Sequence, residues 1–312
     1  MRGVWIRLAL GSTVLGSAVL LAGCDRWVRP EDRTSAARLP ASTPKPEQLV
    51  AYMNSNAQRI RSLESFDLDI DAKADNQSVG LSGTMACQKN APGQPANFRM
   101  QARVLGKTEV DIGSNSQEFW YWIARAPQPY VFHCSYPDFR AGKAKMPFPF
   151  QPEWIVEALG MAEYDPGQKY EVRETKQTIE LIENTTSPQG EAVQKVTVFS
   201  RSQSQGRAPQ VAARILRDPS GKEICAATVS EIQVDQLSGA IVPRVVKMRW
   251  PAEKMELTMK LNKLQVNGRI DDAQAAARFS RQSLGTLPGY DLARGPDAPA
   301  NAIRPAGGIG GR

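Results

Sequence analysis

Asp111-Ile112-Gly113-Ser114-Asn115-Ser116-Gln117-Glu118-Phe119-Trp120-Tyr121-Trp122 reads as a β-hairpin, and that reading sets the fold class of the chain. A first strand ends at Gly113-Ser114-Asn115, where Gly and Asn tolerate the positive φ of a tight turn. An aromatic strand follows. Alternation places Phe119 and Tyr121 on one of its faces and Trp120 and Trp122 on the other. Two arrangements fit. In one, Asp111 and Asn115 brace the turn while Phe119 or Trp122 fills the core. In the other, Trp120 and Trp122 join Trp154 around an apolar cavity, because large rigid side chains make good walls for apolar ligands.

The same two-residue period extends outward in both directions. Phe66, Leu68 and Ile70 form one trio, Val79, Leu81 and Met85 a second, and Phe98, Met100 and Ala102 a third, each pointing to one side of a strand. Strands are expected at 109–113, 118–124, 130–135, 170–174, 178–183, 193–200, 211–216, 224–234, 245–250 and 255–266. Short turns such as Asp218-Pro219-Ser220-Gly221 join them. Helical periodicity is confined to two places. Leu49, Met53, Ala57, Ile60 and Leu63 recur at spacings of three and four over 46–63, and Pro46 suits a first turn. Gln151 to Gly160 has Pro152 at its start, Gly160 at its end, and Trp154, Ile155, Ala158 and Leu159 on one face. About a dozen strands with these helices imply an α+β, mainly antiparallel β, strongly curved unclosed sheet covered on its concave side.

The ends of the chain have another character. Arg2 and Arg7 precede an apolar run from Leu8 to Leu20, shorter than the roughly 20 residues that span a bilayer. Leu21-Ala22-Gly23-Cys24 then resembles the lipobox of bacterial lipoproteins. Residues 1–23 are expected to be a signal peptide and Cys24 the lipidated first residue of the mature chain, because its thiol takes the diacylglyceryl group. Residues 24–45 read as a lipidated flexible tether, 46–284 as the β domain, and 285–312 as a disordered Pro/Gly-rich tail. The expected location is the bacterial envelope, on a membrane and facing the periplasm or exterior.

Of the 312 residues 41% are hydrophobic, enough for one substantial core, and the net charge is +7 with an isoelectric point near 9.3. An exported chain meets anionic headgroups and cell-wall polymers rather than nucleic acid. Giving one of the four cysteines to lipid leaves Cys87, Cys134 and Cys225. Either Cys87 pairs with Cys134 and Cys225 stays free, or all three are small buried strand residues. The spacings suggest no metal site and no cofactor. His133 is the only histidine, and in a regular strand it cannot share a face with Cys134, so no nucleophile–base pair is expected and the chain is read as a non-enzyme.

The order of signal, tether, helix, strand meander, helical interruption and further strands resembles the LolA/LolB superfamily of bacterial lipoprotein carriers and acceptors. The segments that carry the resemblance are Phe98-Arg99-Met100, Asp111-Ile112-Gly113-Ser114-Asn115, Glu118-Phe119-Trp120-Tyr121-Trp122 and Met146-Pro147-Phe148-Pro149-Phe150-Gln151-Pro152-Glu153-Trp154, within 46–266. The resemblance implies an unclosed half-barrel with a helical lid over a cavity for acyl chains. A lipid-anchored member looks more like the acceptor than the soluble carrier. Trp120, Trp122, Phe148, Phe150 and Trp154 are its expected cavity or lid residues, and an acyl chain, phospholipid or lipoprotein its expected ligand. The alternative is the same sheet with a filled core, tethering envelope components.

Overall fold

Strand β1 (Ser62–Ala74) pairs with β2 (Gln77–Gln88) on one side and with β13 (Met255–Val266) on the other, so the middle of the sheet joins the two ends of the chain. The computed structural model describes residues 44–74, 77–126, 128, 130–146, 151–187, 190–201 and 210–297. From β2 an antiparallel meander runs through β3 (Asn97–Val104), β4 (Lys107–Ser114), β5 (Glu118–Ile123) and β6 (Val131–Ser135). A second meander runs through β7 (Tyr170–Glu174), β8 (Thr178–Thr186), β9 (Ala192–Ser200), β10 (Gln210–Arg217), β11 (Glu223–Val234) and β12 (Ile241–Trp250) to β13. With the terminal strands β14 (Gly289–Asp291) and β15 (Gly295–Pro296), the order is β15-β14-β6-β5-β4-β3-β2-β1-β13-β12-β11-β10-β9-β8-β7.

The sheet is unclosed and curls. Phe119 of β5 and Cys225 of β11 belong to one buried cluster, although seven inter-strand steps of ~4.8 Å would hold them ~34 Å apart in a flat sheet. Helix α3 (Pro152–Ala158) fills the space between the arms, with Ile155, Val156, Ala158 and Leu159 buried in that cluster. Gly160 ends it at φ +80, a left-handed conformation that a Cβ would strain. Helix α2 (Tyr136–Arg140) follows β6 directly, capped by the Ser135 hydroxyl accepting from the Asp138 amide. Helix α1 (Pro46–Gln58) covers the far arm through Leu49, Val50 and Met53 against Ile179, Leu181 and Phe199. Two asparagines fasten it. Asn54 bonds both the amide and carbonyl of Tyr164, and Asn56 does the same to Ile241.

Several expectations change. The helix expected over 46–63 stops at Gln58, because Ser62 already pairs with Gln88 in the sheet. Ile60 and Leu63 are buried all the same. The trio in β1 is broken by a bulge between Ser65 and Leu68, which leaves Phe66 half exposed while Leu68 and Ile70 stay inside. The tail is structured to Asp297. Helix α4 (Asp272–Arg278) and a 3-10 turn (Arg281–Leu284) cross the outer face of β1–β5, and Gly289–Asp291 then pairs in parallel with Val131–His133. Backbone pairing and charge hold this strap together with a few apolar anchors: Phe279 and Leu292 are buried, and Tyr290 packs against Tyr130 and Phe132. Cys87, Cys134 and Cys225 are free and buried, the second of the two readings left open by the sequence.

The expected signal peptide, the expected lipidation at Cys24, the expected tether up to residue 43 and the tail from 298 lie outside the described residues. Among the described residues no helix is long and apolar enough to cross a membrane.

Candidate functional site

Between the two arms lies an open cleft of about 630 Å³, within the roughly 300–1,000 Å³ of small-molecule sites. The β2–β3 loop forms one lip and the β8–β9 hairpin the other, and Tyr136, Phe139, Trp154, Val156, Met161 and Leu216 form apolar walls. Deep in it the Tyr136 hydroxyl donates to the Glu153 carboxylate. Glu153 Oε2 is buried without a partner. Burial raises the Glu153 carboxyl above the ordinary carboxylate range, outweighing the opposing effects of the Tyr136 hydrogen bond and the Arg140 and Lys195 charges. The Tyr136 hydroxyl is pushed up too, by burial and then by Glu153. The wall around Glu153 is apolar, and burial there disfavours its charged form. Such a surface suits hydrocarbon, with one polar group to orient it.

A smaller hollow of about 40 Å³ adjoins the cleft and shares Trp154, Glu157, Lys195 and Leu216 with it. Lys195 pairs with Glu157 at 3.6 Å, and that carboxylate raises its ammonium further. Arg214, nine-tenths buried, closes the hollow. A separate hollow of about 700 Å³ lies at the tips of β1–β2 and β12–β13, lined by Lys73, Glu223, Arg249 and Lys254. Its walls mix these charged groups with Trp250, Pro251 and Met255.

The expected aromatic trio is not assembled. Of its three members only Trp154 lines the cleft. Phe119 and Tyr121 face the inner core, so Trp120 and Trp122 point to the outer face. Trp120 is fully buried there against Gly113, where a Cβ would sit 2.3 Å from its ring. Gly113 is therefore needed for closeness and not for a turn. Asn115 makes the turn, its Oδ1 accepting from the Gln117 and Glu118 amides. Asp111 does not brace it. Instead Asp111 accepts from Arg99 Nε at 3.2 Å and Nη2 at 2.6 Å, Gln101 at 2.8 Å and Trp120 Nε1 at 3.3 Å. Trp122 also faces outward, with its Nε1 buried and unpartnered. Phe148 and Phe150 lie outside the described residues.

His133 and Cys134 occupy opposite faces. His133 Nε2 contacts Asp297 at 2.9 Å under the strap, whereas Cys134 sits in the inner cluster. Burial pushes the Cys134 thiol up to about 11 and that of Cys87 to about 12, away from thiolate chemistry. Among the described residues no group of three His, Cys, Asp or Glu side chains is placed to hold a metal.

The sequence reading missed Tyr136, Phe139, Glu153, Lys195, Arg214 and Leu216. One signal was available. In Val211-Ala212-Ala213-Arg214-Ile215-Leu216 a cation interrupts an otherwise apolar strand, which marks a charge carried into an interior.

No protein-family model matches the chain, and no curated protein matches it significantly. Solved structures do. A DUF1329 family protein from Desulfovibrio piger aligns over 77% of this chain and 97% of its own at 12% identity, with a TM-score of 0.51. A putative outer membrane lipoprotein-sorting protein domain from Vibrio parahaemolyticus aligns over 75% and 95% at 9% identity, with a TM-score of 0.52. A LolA superfamily protein from Nitrosomonas europaea aligns over 75% and 98% at 12% identity, with a TM-score of 0.43. The first two likenesses establish a shared fold, the unclosed and curled antiparallel sheet that the strand order implied.

Proposed function

We propose that this is a lipid-anchored envelope protein that holds the acyl chain of a lipid or lipoprotein in the cleft between its arms, as carrier or acceptor, without catalysing a reaction. The observation that carries the proposal is the cleft itself, since the arms and α3 leave about 630 Å³ between aromatic and aliphatic walls. Hydrocarbon moved from water into contact with such walls gains about 25 cal/mol per Å². The shared fold with a lipoprotein-sorting domain supports the same reading.

Two further features agree. Leu105 stands fully exposed at the tip of the β3–β4 hairpin between Arg103 and Lys107, one apolar side chain flanked by cations, as a contact with an anionic membrane surface requires. Cys24 then supplies the durable anchor, and Cys24→Ser should abolish both palmitate labelling and sedimentation with membranes.

The direct test is titration of the chain starting at residue 25 with N-phenyl-1-naphthylamine, whose emission rises in apolar surroundings. Saturable enhancement in the wild type, lost in Leu216→Trp where an indole fills the cleft, is the expected result. Unenhanced emission in the wild type refutes the proposal.

A further inference from the structure

Arg214 is unexplained by an apolar cleft. It stands in β10 opposite Thr197 of β9 and Ala227 of β11, and Ala227 stands opposite Met248 of β12, which places its side chain on the inner face under α1 and α3. Its exposure is 9%, and its Nε and Nη1 are buried with no hydrogen-bond partner. The neighbouring cations are matched: Lys195 by Glu157, Arg217 and Arg173 by Glu180, Arg201 by Glu174. Among the described residues no carboxylate forms an ion pair with Arg214. A guanidinium taken out of water without counter-charge or hydrogen-bond acceptors is costly, and interiors seldom retain one unless something completes it.

The space beside it fits such a completion. Arg214 separates two hollows of about 40 Å³ each, one opening along Trp154, Glu157, Lys195 and Leu216 toward the cleft, the other lying under α1 against Met53, Asn56 and Ile241. At ~10–15 Å³ per water, either hollow accepts about three waters, the bulk of a carboxylate head. The Cys225 thiol in the first hollow is held neutral by burial, so it does not compete for the cation. The one carboxylate of that hollow, Glu157, is already paired with Lys195 at 3.6 Å, so its charge is offset within the lining.

We propose that Arg214 is the seat of the oxyanion head of a long-chain amphiphile, a fatty carboxylate or an alkyl phosphate, whose hydrocarbon lies along Trp154 and Leu216 in the cleft. The inference rests on the cleft being a ligand site. Arg214 donates its unpartnered N–H groups to the head oxygens, a charge-assisted contact in a water-poor setting. Neutral chains of the same length enter the same cleft but leave the guanidinium unpartnered, so they bind more weakly.

The test compares hexadecanoate, hexadecyl phosphate and hexadecanol by calorimetric titration of the chain starting at residue 25, in wild type and Arg214→Met. In the wild type one or both anions should bind about tenfold or more tighter than the alcohol. Whichever anion is preferred identifies the head group. In Arg214→Met that preference should vanish while the alcohol binds as before. Removing an unpartnered buried charge should also raise the unfolding midpoint of the ligand-free variant, so loss of binding is separable from loss of folding. Equal binding of alcohol and anions by the wild type, or a preference that survives Arg214→Met, overturns the anion seat and leaves the apolar cleft standing. If none of the three binds, the cleft reading falls, and this inference with it.

Discussion

Substituting Arg99 by Met should destabilise the protein far more than the loss of a typical ion pair, and should do so by releasing the C-terminal strap. Arg99 sits on the outer face of β3 with its side chain 9% exposed, and its partner Asp111 is fully buried. Its five N–H donors are all used. Nε and Nη2 reach Asp111, Nη1 reaches the carbonyls of Arg278 and Ser280 at 2.8 and 3.1 Å, and Nη2 also reaches the Ser283 hydroxyl at 2.6 Å. Arg99→Met leaves the Asp111 carboxylate in the interior with only Gln101 and Trp120, and leaves the end of α4 without its donor. Breaking a buried pair by removing one partner costs about 3–5 kcal/mol. With a urea slope of roughly 3 kcal/mol/M, the midpoint should fall by about 1–1.7 M. Arg249→Met is the control. Its pair with Glu223 is equally short at 2.6 Å, but the arginine side chain is half exposed, and such pairs contribute about 0–1 kcal/mol. Urea denaturation of both variants, with limited proteolysis across 272–284, reads the outcome. Equal shifts in the two variants, or an Arg99→Met strap as resistant to protease as the wild type, would refute the reasoning.

Gly113→Ala sets a Cβ 2.3 Å from the buried Trp120 ring and should cost about 1–3 kcal/mol by overpacking, seen as a lower thermal midpoint with altered tryptophan emission; an unchanged midpoint contradicts the close contact. Glu153 titrates near 4.5 when unfolded and higher when folded, so folding takes up a proton between those values. Its contribution is full below 4.5 and is lost as pH rises through the folded value. The wild-type urea midpoint should therefore fall relative to Glu153→Gln between pH 4.5 and 8, and a constant difference across that range argues against a proton held in the cleft. Finally, the native chain starting at residue 25 should show no fast thiol reaction with a disulfide reagent at pH 8 and three thiols after denaturation, because Cys87, Cys134 and Cys225 are buried and their thiols raised. A rapidly reacting thiol in the folded protein would contradict that burial.

The strands were legible wherever one face alone was apolar, as in Phe98, Met100 and Ala102, all buried. Helix α3 was legible because Pro152 and Gly160 mark its ends chemically. The orientation of β5 was not. With aromatics on both faces, alternation separates Phe119 and Tyr121 from Trp120 and Trp122 without saying which pair faces the cleft. The deciding partners of Trp120 are Asp111 and Gly113 on the adjoining strand. The strap was hidden for a related reason. Residues 285–297 hold few apolar side chains and no period, and what fixes them is Leu292 in the core, Tyr290 on Phe132, Arg294 on Asp138 at 2.6 Å, His133 against Asp297, and strand pairing to β6, contacts far apart in sequence that leave no local pattern. Arg214 was visible as an anomaly, but its isolation from carboxylates is a property of the folded sheet.

The most direct measurement is native mass spectrometry of the chain starting at residue 25, exported to the periplasm and purified without detergent. An acyl-chain lipid bound at one per protein, and absent from Leu216→Trp, is the predicted result. A wild-type protein that carries no lipid and takes up none when mixed with hexadecanoate would contradict a ligand-holding cleft.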